Sequence, residues 1–554
     1  MAKKKKYVLF TLLAIISLIL AACNFGGETA KEEEGTKGEK GTGNEVQEKK
    51  KALNLVIASE PPAMNPQLAT DTTSGNILLS LFEGLTRLDK DAKYEKALAE
   101  DIQVSDDQLT YTFKLRDAKW TNGDSVVAGD FEYAWKWALD PANTSEYASQ
   151  LYPIKGAEEF NTGKGSADDI AIKVVDDKTL EVTLANPTPY FLELTAFQTY
   201  MPINKKVAEA NKEWYADAGE NYVTNGPFKL AEWQHDASLK LEKNADYWDV
   251  ANVKLDEVNI GMVEKEPTAV SKFKAGEIDY LGSPFQTVAL DSIDEFKKSK
   301  QLNIQPLAGV YWYKLNTKGK FTKNANIRKA LTLAINRQEL ISNVTKGEQT
   351  PALGMVPSAV AGFEEDRGYI KDNDIEGAKA ALEAGMKELG IKKASDIEIG
   401  ISINTSEAHN AIAQFIQEGW KKNLGIKVKI DNSEWQVFLD KLTNLDYEVG
   451  RMGWIADYRD PYTFLEMYST ADNGNNDTGW ENPKYKALMK KSVAEKDPAK
   501  RLEILKEAEG IAMGELPVAP IYYYTSLFVK KDSVTGMEPD PIGNIQLKRA
   551  DITE

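Results

Sequence analysis

Apolar and polar residues alternate in several short segments with a period of two, which is typical of half-buried strands. In one segment, apolar residues at 109, 111, 113 and 115 alternate with threonine, lysine and arginine. The same alternation occurs at 180–184, 239–241, 397–403 and 426–430. Each segment predicts a strand that turns one face towards a core.

Between these segments, apolar residues recur three and four positions apart. This spacing over 327–335 and 408–420 predicts amphipathic helices. Another helix is predicted to begin at Pro498, because Asp497 supplies an N-cap and proline suits the first helical position. Helices interspersed with strands indicate a mixed α/β fold.

The N-terminus has the pattern of a secretory signal. Lysines at 3–6 precede an apolar stretch of 16 residues, Tyr7–Ala22, which is shorter than the ~20 residues of a membrane helix. The stretch runs into Leu-Ala-Ala-Cys at 20–23, which resembles the bacterial lipobox, in which the cysteine is lipidated. We therefore expect residues 1–22 to be a lipoprotein signal peptide and Cys23 a lipid anchor; a short anchor helix with a buried cysteine is the alternative. Residues 23–51 read as a solvated tether.

Composition narrows the classes of function. The 554 residues correspond to about three to five domain-sized units. The net charge of −17 becomes −21 without residues 1–22 and disfavours nucleic-acid binding. A lone cysteine precludes an intramolecular disulfide. With only two histidines, His235 and His409, the chain has little material for histidine-rich metal sites.

Motifs of catalysis are absent from the sequence. There is no His-Glu-x-x-His, Gly-x-Ser-x-Gly, Walker A or Gly-x-Gly-x-x-Gly pattern. Asp372, Asp374, Glu376, Gly377 and Glu383 match five positions of a calcium-binding loop. A capped surface helix beginning near Asp374 is the stronger interpretation, because a helix there could not wrap an ion. We predict no enzyme, no metal and no cofactor.

Aromatic residues occur in blocks, of which Tyr311–Tyr313, Tyr522–Tyr524 and the stretch 453–466 are the densest. Aromatic residues are more often core than pocket. Asp457 differs, because a carboxylate within an apolar, aromatic segment must find a partner or bind a proton. An aspartate in an exposed turn is the alternative.

Ordered motifs carry a resemblance to a known family. They are SEPPAMNP at 59–66, FEGL at 82–85, YTFKLRDAKWTNGDSVVAGDF at 111–131, TNGPFKL at 224–230, LEKNADYWD at 241–249, AGEID at 275–279, NIRKALTLAINR at 326–337, NTSEAH at 404–409, WKKNLGIKVKI at 420–430 and GWIADY at 453–458. Together they resemble the peptide-binding lipoproteins of bacterial ABC importers, extracellular solute-binding protein family 5. The resemblance runs from about Leu53 to Leu547 and is greater to oligopeptide binders than to nickel or haem binders.

The resemblance implies a two-lobed α/β fold of type II, cluster C, with an extra domain. Lobe I would comprise 52–82, 207–308 and 525–554, with the additional domain, 83–206, packed on it, and lobe II would be 309–524. Hinge closure would enclose the ligand between the lobes.

The resemblance also implies site residues. Asp457 would bind the peptide's α-amine, since a buried ammonium needs a counter-charge. Arg451 and His409 would receive the carboxylate, for which arginine offers two parallel donors. Pairing with the peptide main chain would involve Thr70, Asp71, Thr72, Gly453, Trp454 and Ile455, and the pocket wall Tyr147, Trp435, Trp454, Phe197 and Tyr523.

One residue departs from part of the family. Some relatives have a disulfide reaching into the Trp-x-Ala-Asp-Tyr segment, whereas this chain has Ile455 there, so that local rigidity must come from packing.

The function implied is capture of oligopeptides by a lipid-anchored monomer on the outer face of the cytoplasmic membrane of a Gram-positive cell. The protein would deliver them to an ABC permease with its ATPase subunits. Two alternatives stay open: a receptor for one signalling pheromone peptide, and a secreted hydrolase of cell-wall material.

Overall fold

The computed structural model describes residues 50–360 and 362–553. The predicted signal peptide, Cys23 and most of the tether lie outside these residues. The strands, in chain order, are β1 Ala52–Ile57, β2 Thr86–Leu88, β3 Tyr94–Lys96, β4 Ala99–Val104, β5 Thr110–Leu115, β6 Ile172–Asp176, β7 Thr179–Thr183, β8 Phe228–Gln234, β9 Ser238–Lys243, β10 Glu257–Met262, β11 Tyr280–Gly282, β12 Asn303–Leu315, β13 Thr350–Pro351, β14 Glu398–Asn404, β15 Lys427–Ser433, β16 Val449–Ile455, β17 Val518–Lys530, β18 Val534–Thr535 and β19 Asp551–Ile552.

Helices are distributed between the strands along the whole described chain. The α-helices are α1 Thr72–Leu81, α2 Ala128–Leu139, α3 Ala157–Asn161, α4 Phe191–Leu194, α5 Lys205–Ala210, α6 Glu266–Lys274, α7 Ile293–Lys298, α8 Ala325–Leu333, α9 Arg337–Leu340, α10 Ile375–Leu389, α11 Glu407–Leu424, α12 Trp435–Thr443, α13 Tyr462–Leu465, α14 Pro483–Ala494 and α15 Pro498–Glu515. Across the described residues, none of them is both long and apolar enough to cross a bilayer.

Three sheets organise the molecule. One has the strand order β1-β10-β9-β8, and a second, antiparallel, has the order β4-β5-β7-β6. The third has the order β11-β17-β12-β16-β14-β15, with the short β13 added to β17. All five predicted strand segments are confirmed: they fall on β5, β7, β9, β14 and β15. In β5, Tyr111, Phe113 and Leu115 are buried and alternate with more exposed residues, as the pattern predicts.

The predicted helices are confirmed as α8, α11 and α15. Asp497 caps α15 by accepting hydrogen bonds from the backbone N–H groups of Ala499 and Lys500, at 3.0 and 3.2 Å. The helix begins at Pro498, which has no N–H to satisfy.

Two of the residues that match a calcium-binding loop, Asp372 and Asp374, have structural roles instead. Asp374 caps α10 through the N–H of Gly377, at 3.1 Å, and the Asp372 carboxylate accepts from Arg337 at 3.2 Å. The described residues contain no group of three or more acidic, histidine or cysteine side chains placed to hold a metal ion.

The third sheet leaves part of one strand edge free. β16 pairs with β12 along its whole length, so that Gly453 lies opposite Tyr311. On its other edge, β14 pairs with it only at Val449 and Gly450. Within the described chain, the 451–455 segment of β16 therefore has no strand partner on that side, and its backbone groups are available to a ligand.

The domain limits stay a prediction. Two of them, at 308/309 and 524/525, fall inside the 13-residue strands β12 and β17. These paired strands would then run from one lobe into the other.

Candidate binding site

A cavity of about 660 Å³ adjoins the free segment of β16. It is also bounded by the start of α1, by α11 and α12, and by β17. Twelve of the predicted site residues line it: Thr70, Asp71, Thr72, Tyr147, Phe197, His409, Trp435, Arg451, Gly453, Trp454, Ile455 and Asp457. The fold thus brings together residues from widely separated parts of the sequence.

Asp457 lies two residues after the end of β16 and is held by neutral donors. The Tyr147 hydroxyl donates to Oδ1 at 3.2 Å, and the Gln150 amide and the Thr463 hydroxyl donate to Oδ2 at 3.2 and 3.1 Å. No lysine, arginine or histidine of the described chain forms an ion pair with this carboxylate. Burial raises its pKa to about 7, although the hydrogen bonds from Thr463 and Tyr147 act to lower it.

The segment after Asp457 is fixed by hydrogen bonds and an ion pair. The Thr463 hydroxyl, fully buried at the start of α13, accepts from the Asp457 N–H at 3.3 Å and from the Trp454 indole at 3.2 Å. The Arg501 guanidinium donates two hydrogen bonds to the Asp460 carboxylate, of 2.6 and 2.9 Å. These contacts link the segment to the start of α13 and to α15, where some relatives are expected to have a disulfide instead.

Glu466 is a member of this cluster that sequence reasoning missed. The Gln150 amide donates to its Oε1 at 3.1 Å and so bridges it to Asp457. Burial, together with the charge of Asp457, raises the pKa of Glu466 to about 8. At neutral pH Glu466 is therefore mostly protonated, which limits the negative charge beside Asp457. In the sequence, the only indication of Glu466 is its place in the aromatic block 453–466, and no pattern indicates Gln150.

Arg451 provides positive charge at the other end of the free segment. Its guanidinium donates to the Asn404 side chain at 3.2 Å and lies over the Tyr311 ring, 5.0 Å from its centroid. In the described part of the chain no carboxylate lies within ion-pair distance, and the Nε atom is buried without a partner. The guanidinium is thus placed to accept an anionic group of a ligand.

His409 lies beside it on α11. Its Nδ1 is 3.3 Å from the Tyr311 hydroxyl. Burial, and then the nearby charge of Arg451, hold the His409 pKa well below its usual value. The imidazole is therefore neutral, and of the two predicted carboxylate ligands only Arg451 contributes charge.

Aromatic side chains form a wall next to Asp457. The Tyr147 ring meets Phe197 and Trp454 edge to face, at centroid distances of 5.3 and 6.2 Å. Trp435, the first residue of α12, also lines the cavity.

The prediction for Tyr523 needs correction, because this residue does not line the cavity. Its hydroxyl donates to the Gly354 carbonyl at 3.3 Å and accepts from Arg367 at 3.4 Å. Tyr522 and Tyr524 line the cavity instead. The alternation of side chains along β17 explains the difference, since neighbouring residues of a strand point to opposite faces.

Across the cavity, Thr70–Thr72 lead into α1. The Asp71 side chain caps this helix by accepting from the N–H groups of Thr73 and Ser74, at 2.9 and 3.1 Å. Its carboxylate thus has a structural use, whereas pairing of this backbone with a ligand stays a prediction.

Comparison with known proteins extends these observations. The family model for bacterial extracellular solute-binding proteins, family 5, middle part, matches residues 93–476. The oligopeptide-binding protein OppA of Bacillus subtilis (strain 168) is 52% identical over 550 residues, which are 99% of each chain.

Two structures of a murein tripeptide-binding protein, MppA, bear on the arrangement of the lobes. The MppA structure from Escherichia coli is 29% identical, covers 91% of this chain and 99% of its own, and superposes with a TM-score of 0.85. An unliganded open form of MppA, 30% identical with 91% and 97% coverage, gives 0.62. The arrangement of the lobes in this protein is therefore less similar to the open form than to the other MppA structure. The expected two-lobed type II fold is confirmed, and the chain belongs to the bacterial extracellular solute-binding proteins of family 5.

Proposed function

We propose that this protein captures oligopeptides outside the cell and delivers them to the permease and ATPase subunits of an ABC importer. The observation that carries this proposal is the free 451–455 edge of β16, with an unpaired carboxylate at one end and an unpaired guanidinium at the other. An extended peptide added to such an edge binds through main-chain groups, which every peptide has. The relatives named as oligopeptide and murein tripeptide binders support this choice of ligand.

The charges also determine a direction. A free peptide carries an ammonium group at its N-terminus and a carboxylate at its C-terminus. With the ammonium at Asp457 and the carboxylate at Arg451, the peptide runs antiparallel to β16. The two residues are six positions apart, which corresponds to roughly 20 Å of extended chain.

Capture requires the lobes to separate and close. We place the hinge in β12 and β17, because the proposed boundaries between the lobes fall within these two strands. The lower TM-score to an open form of MppA supports closure about the same fold. We further propose that the protein acts as a monomer, attached to the membrane through Cys23.

The other functions considered have less support. Membership of a solute-binding family disfavours a cell-wall hydrolase. A receptor for a single signalling peptide would use the same cavity and stays an open hypothesis.

Asp457→Asn should weaken binding of tetra-alanine by about tenfold or more, because the ammonium loses its counter-charge. Nα-acetyl-tetra-alanine has no ammonium and should bind wild type and variant alike. Isothermal titration calorimetry measures both affinities. Glu503→Gln, which removes an exposed carboxylate on α15, is the matched control and should change neither. Equal losses for the two peptides would show that Asp457 does not hold the amine.

Affinity for tetra-alanine should depend on pH. The ammonium binds the ionised carboxylate, whereas the pKa of Asp457 near 7 means that most molecules carry a proton there at pH 5.5. Affinity should therefore fall as the pH drops below about 7, and binding should release protons. Calorimetry at pH 5.5 and 7.5, in buffers with different ionisation enthalpies, measures both effects. In Asp457→Asn the affinity should change less between pH 5.5 and 7.5. An unchanged pH dependence in this variant would contradict the role of Asp457 as the group that binds the ammonium.

Arg451→Gln should abolish discrimination between free and amidated peptide C-termini. The peptides to compare are alanine peptides of three to six residues, each with a free and an amidated C-terminus. In wild type, amidation should lower the affinity most, by about tenfold, for the peptide whose carboxylate reaches the guanidinium. The variant should bind both forms of that peptide equally. A free-over-amide preference that survives in the variant would place the carboxylate elsewhere.

Cys23→Ala should release the protein from the membrane fraction into the medium, because the lipid anchor can no longer form. Fractionation followed by immunoblotting measures the distribution. Deletion of residues 25–49, which shortens the tether but keeps Cys23, is the control and should stay attached. Retention of Cys23→Ala on the membrane would refute the anchor.

A further inference from the structure

Glu146 is a second acidic residue of the cavity without a cationic partner. It precedes Tyr147 and lines the same cavity. Its backbone is tightly packed: a Cβ atom at Gly474 would lie 2.6 Å from the Glu146 Cα. Among the described residues, no lysine, arginine or histidine forms an ion pair with its carboxylate. The backbone of Glu146 is thus closely packed, and its carboxylate has no ion pair among the described residues.

The cation whose charge acts on Glu146 already has a partner. Lys314, on β12, is 1% exposed, and its ammonium donates to Asp477 at 2.5 Å and to the Asn475 carbonyl at 2.9 Å. Burial and the charge of Asp477 raise the pKa of Glu146 to about 7, while Lys314 acts to lower it and Asp440 on α12 to raise it further. Two cavity-lining acids, Glu146 and Asp477, thus lie near one lysine, and Asp477 holds the ion pair with it.

Several other acids that line the cavity have structural partners. Glu266 accepts from the Ser406 hydroxyl, Glu434 caps α12, Glu60 accepts from Trp233, and Asp71 caps α1. Asp236 and Glu264 also line the cavity without an ion pair in the described chain, but both are exposed, so that solvent screens their charges. Glu146 is partly buried, and apart from the Thr70 hydroxyl no donor among the described residues hydrogen-bonds to its carboxylate. A partly buried charge without a counter-charge is costly, and a ligand that brings a cation relieves this cost.

We infer that Glu146 forms a subsite for a basic side chain, lysine or arginine, of the bound peptide. The inference rests on the proposed function, since it concerns the same cavity. It adds selectivity: Asp457 would recognise the amine common to all peptides, whereas Glu146 would distinguish peptides by their side chains. The Glu146 carboxylate would accept charge-assisted hydrogen bonds from the ammonium or guanidinium.

The test uses tetra-alanine in which one residue at a time, from position 2 to 4, is replaced by lysine or by norleucine, which lacks the ammonium. At one position, wild type should bind the lysine peptide about tenfold more tightly than the norleucine peptide. In Glu146→Gln this ratio should fall below about twofold. Glu503→Gln should keep the full ratio. Isothermal titration calorimetry gives the affinities.

Two results would overturn the inference: no lysine preference in wild type at any position, or a preference that survives in Glu146→Gln. The first comparison needs no variant and so does not depend on the folding of a mutant. Failure of wild type to bind tetra-alanine itself would instead reject the proposed function, and the subsite with it.

Discussion

The pairing of β12 with β16 determines where the charged groups of the cavity lie. β16 is paired with β12 along its whole length on one side. This pairing holds β16 in place, although on the other side its pairing with β14 stops at Gly450. Gly453 contributes to the close packing here, since a Cβ atom there would collide with the Tyr524 hydroxyl and approach the Val310 carbonyl to 2.9 Å. The strand thus holds Arg451 within its span and Asp457 just beyond its end. A rigid scaffold of this kind allows a ligand to bind without first ordering the site.

Two charged side chains of the cavity wall, Asp457 and Arg451, have neutral partners and no ion pair in the described chain. Asp457 is held by a hydroxyl, an amide and a second hydroxyl, and Arg451 by an amide oxygen and an aromatic ring. Neutral partners orient a charge and leave it available, whereas an ion pair would have to be broken before a ligand could bind. The unliganded protein bears the cost of desolvating these groups, and at Asp457 and Glu466 protonation lowers that cost.

The sequence predicted much of the fold because the strands and helices that matter have one buried face. Alternation in β5 and the Asp497-Pro498 start of α15 are local signals, and local signals suffice for single elements. The positions of Asp457 and Arg451 came from resemblance to a family, since nothing local distinguishes a ligand-binding aspartate from one in an exposed turn.

What the sequence could not supply depends on contacts between distant residues. Gln150 meets Asp457 and Glu466 across more than 300 positions, and Lys314 meets Asp477 across 163. The error at Tyr523 has another cause: three consecutive tyrosines give no indication of which face of β17 adjoins the cavity, and that face depends on the register with β12.

Under the proposed function, the distribution of unpaired charge would separate general from selective recognition in this cavity. Edge pairing and the two terminal charges would act on groups that every peptide has, so they would raise affinity without selecting a sequence. Selectivity must then come from wall residues that the main chain does not reach. Most acids of the wall are committed to helix caps or hydrogen bonds within the protein, and Lys314 is committed to Asp477. Glu146, which has no ion pair among the described residues, is the wall residue that we propose for this selective role.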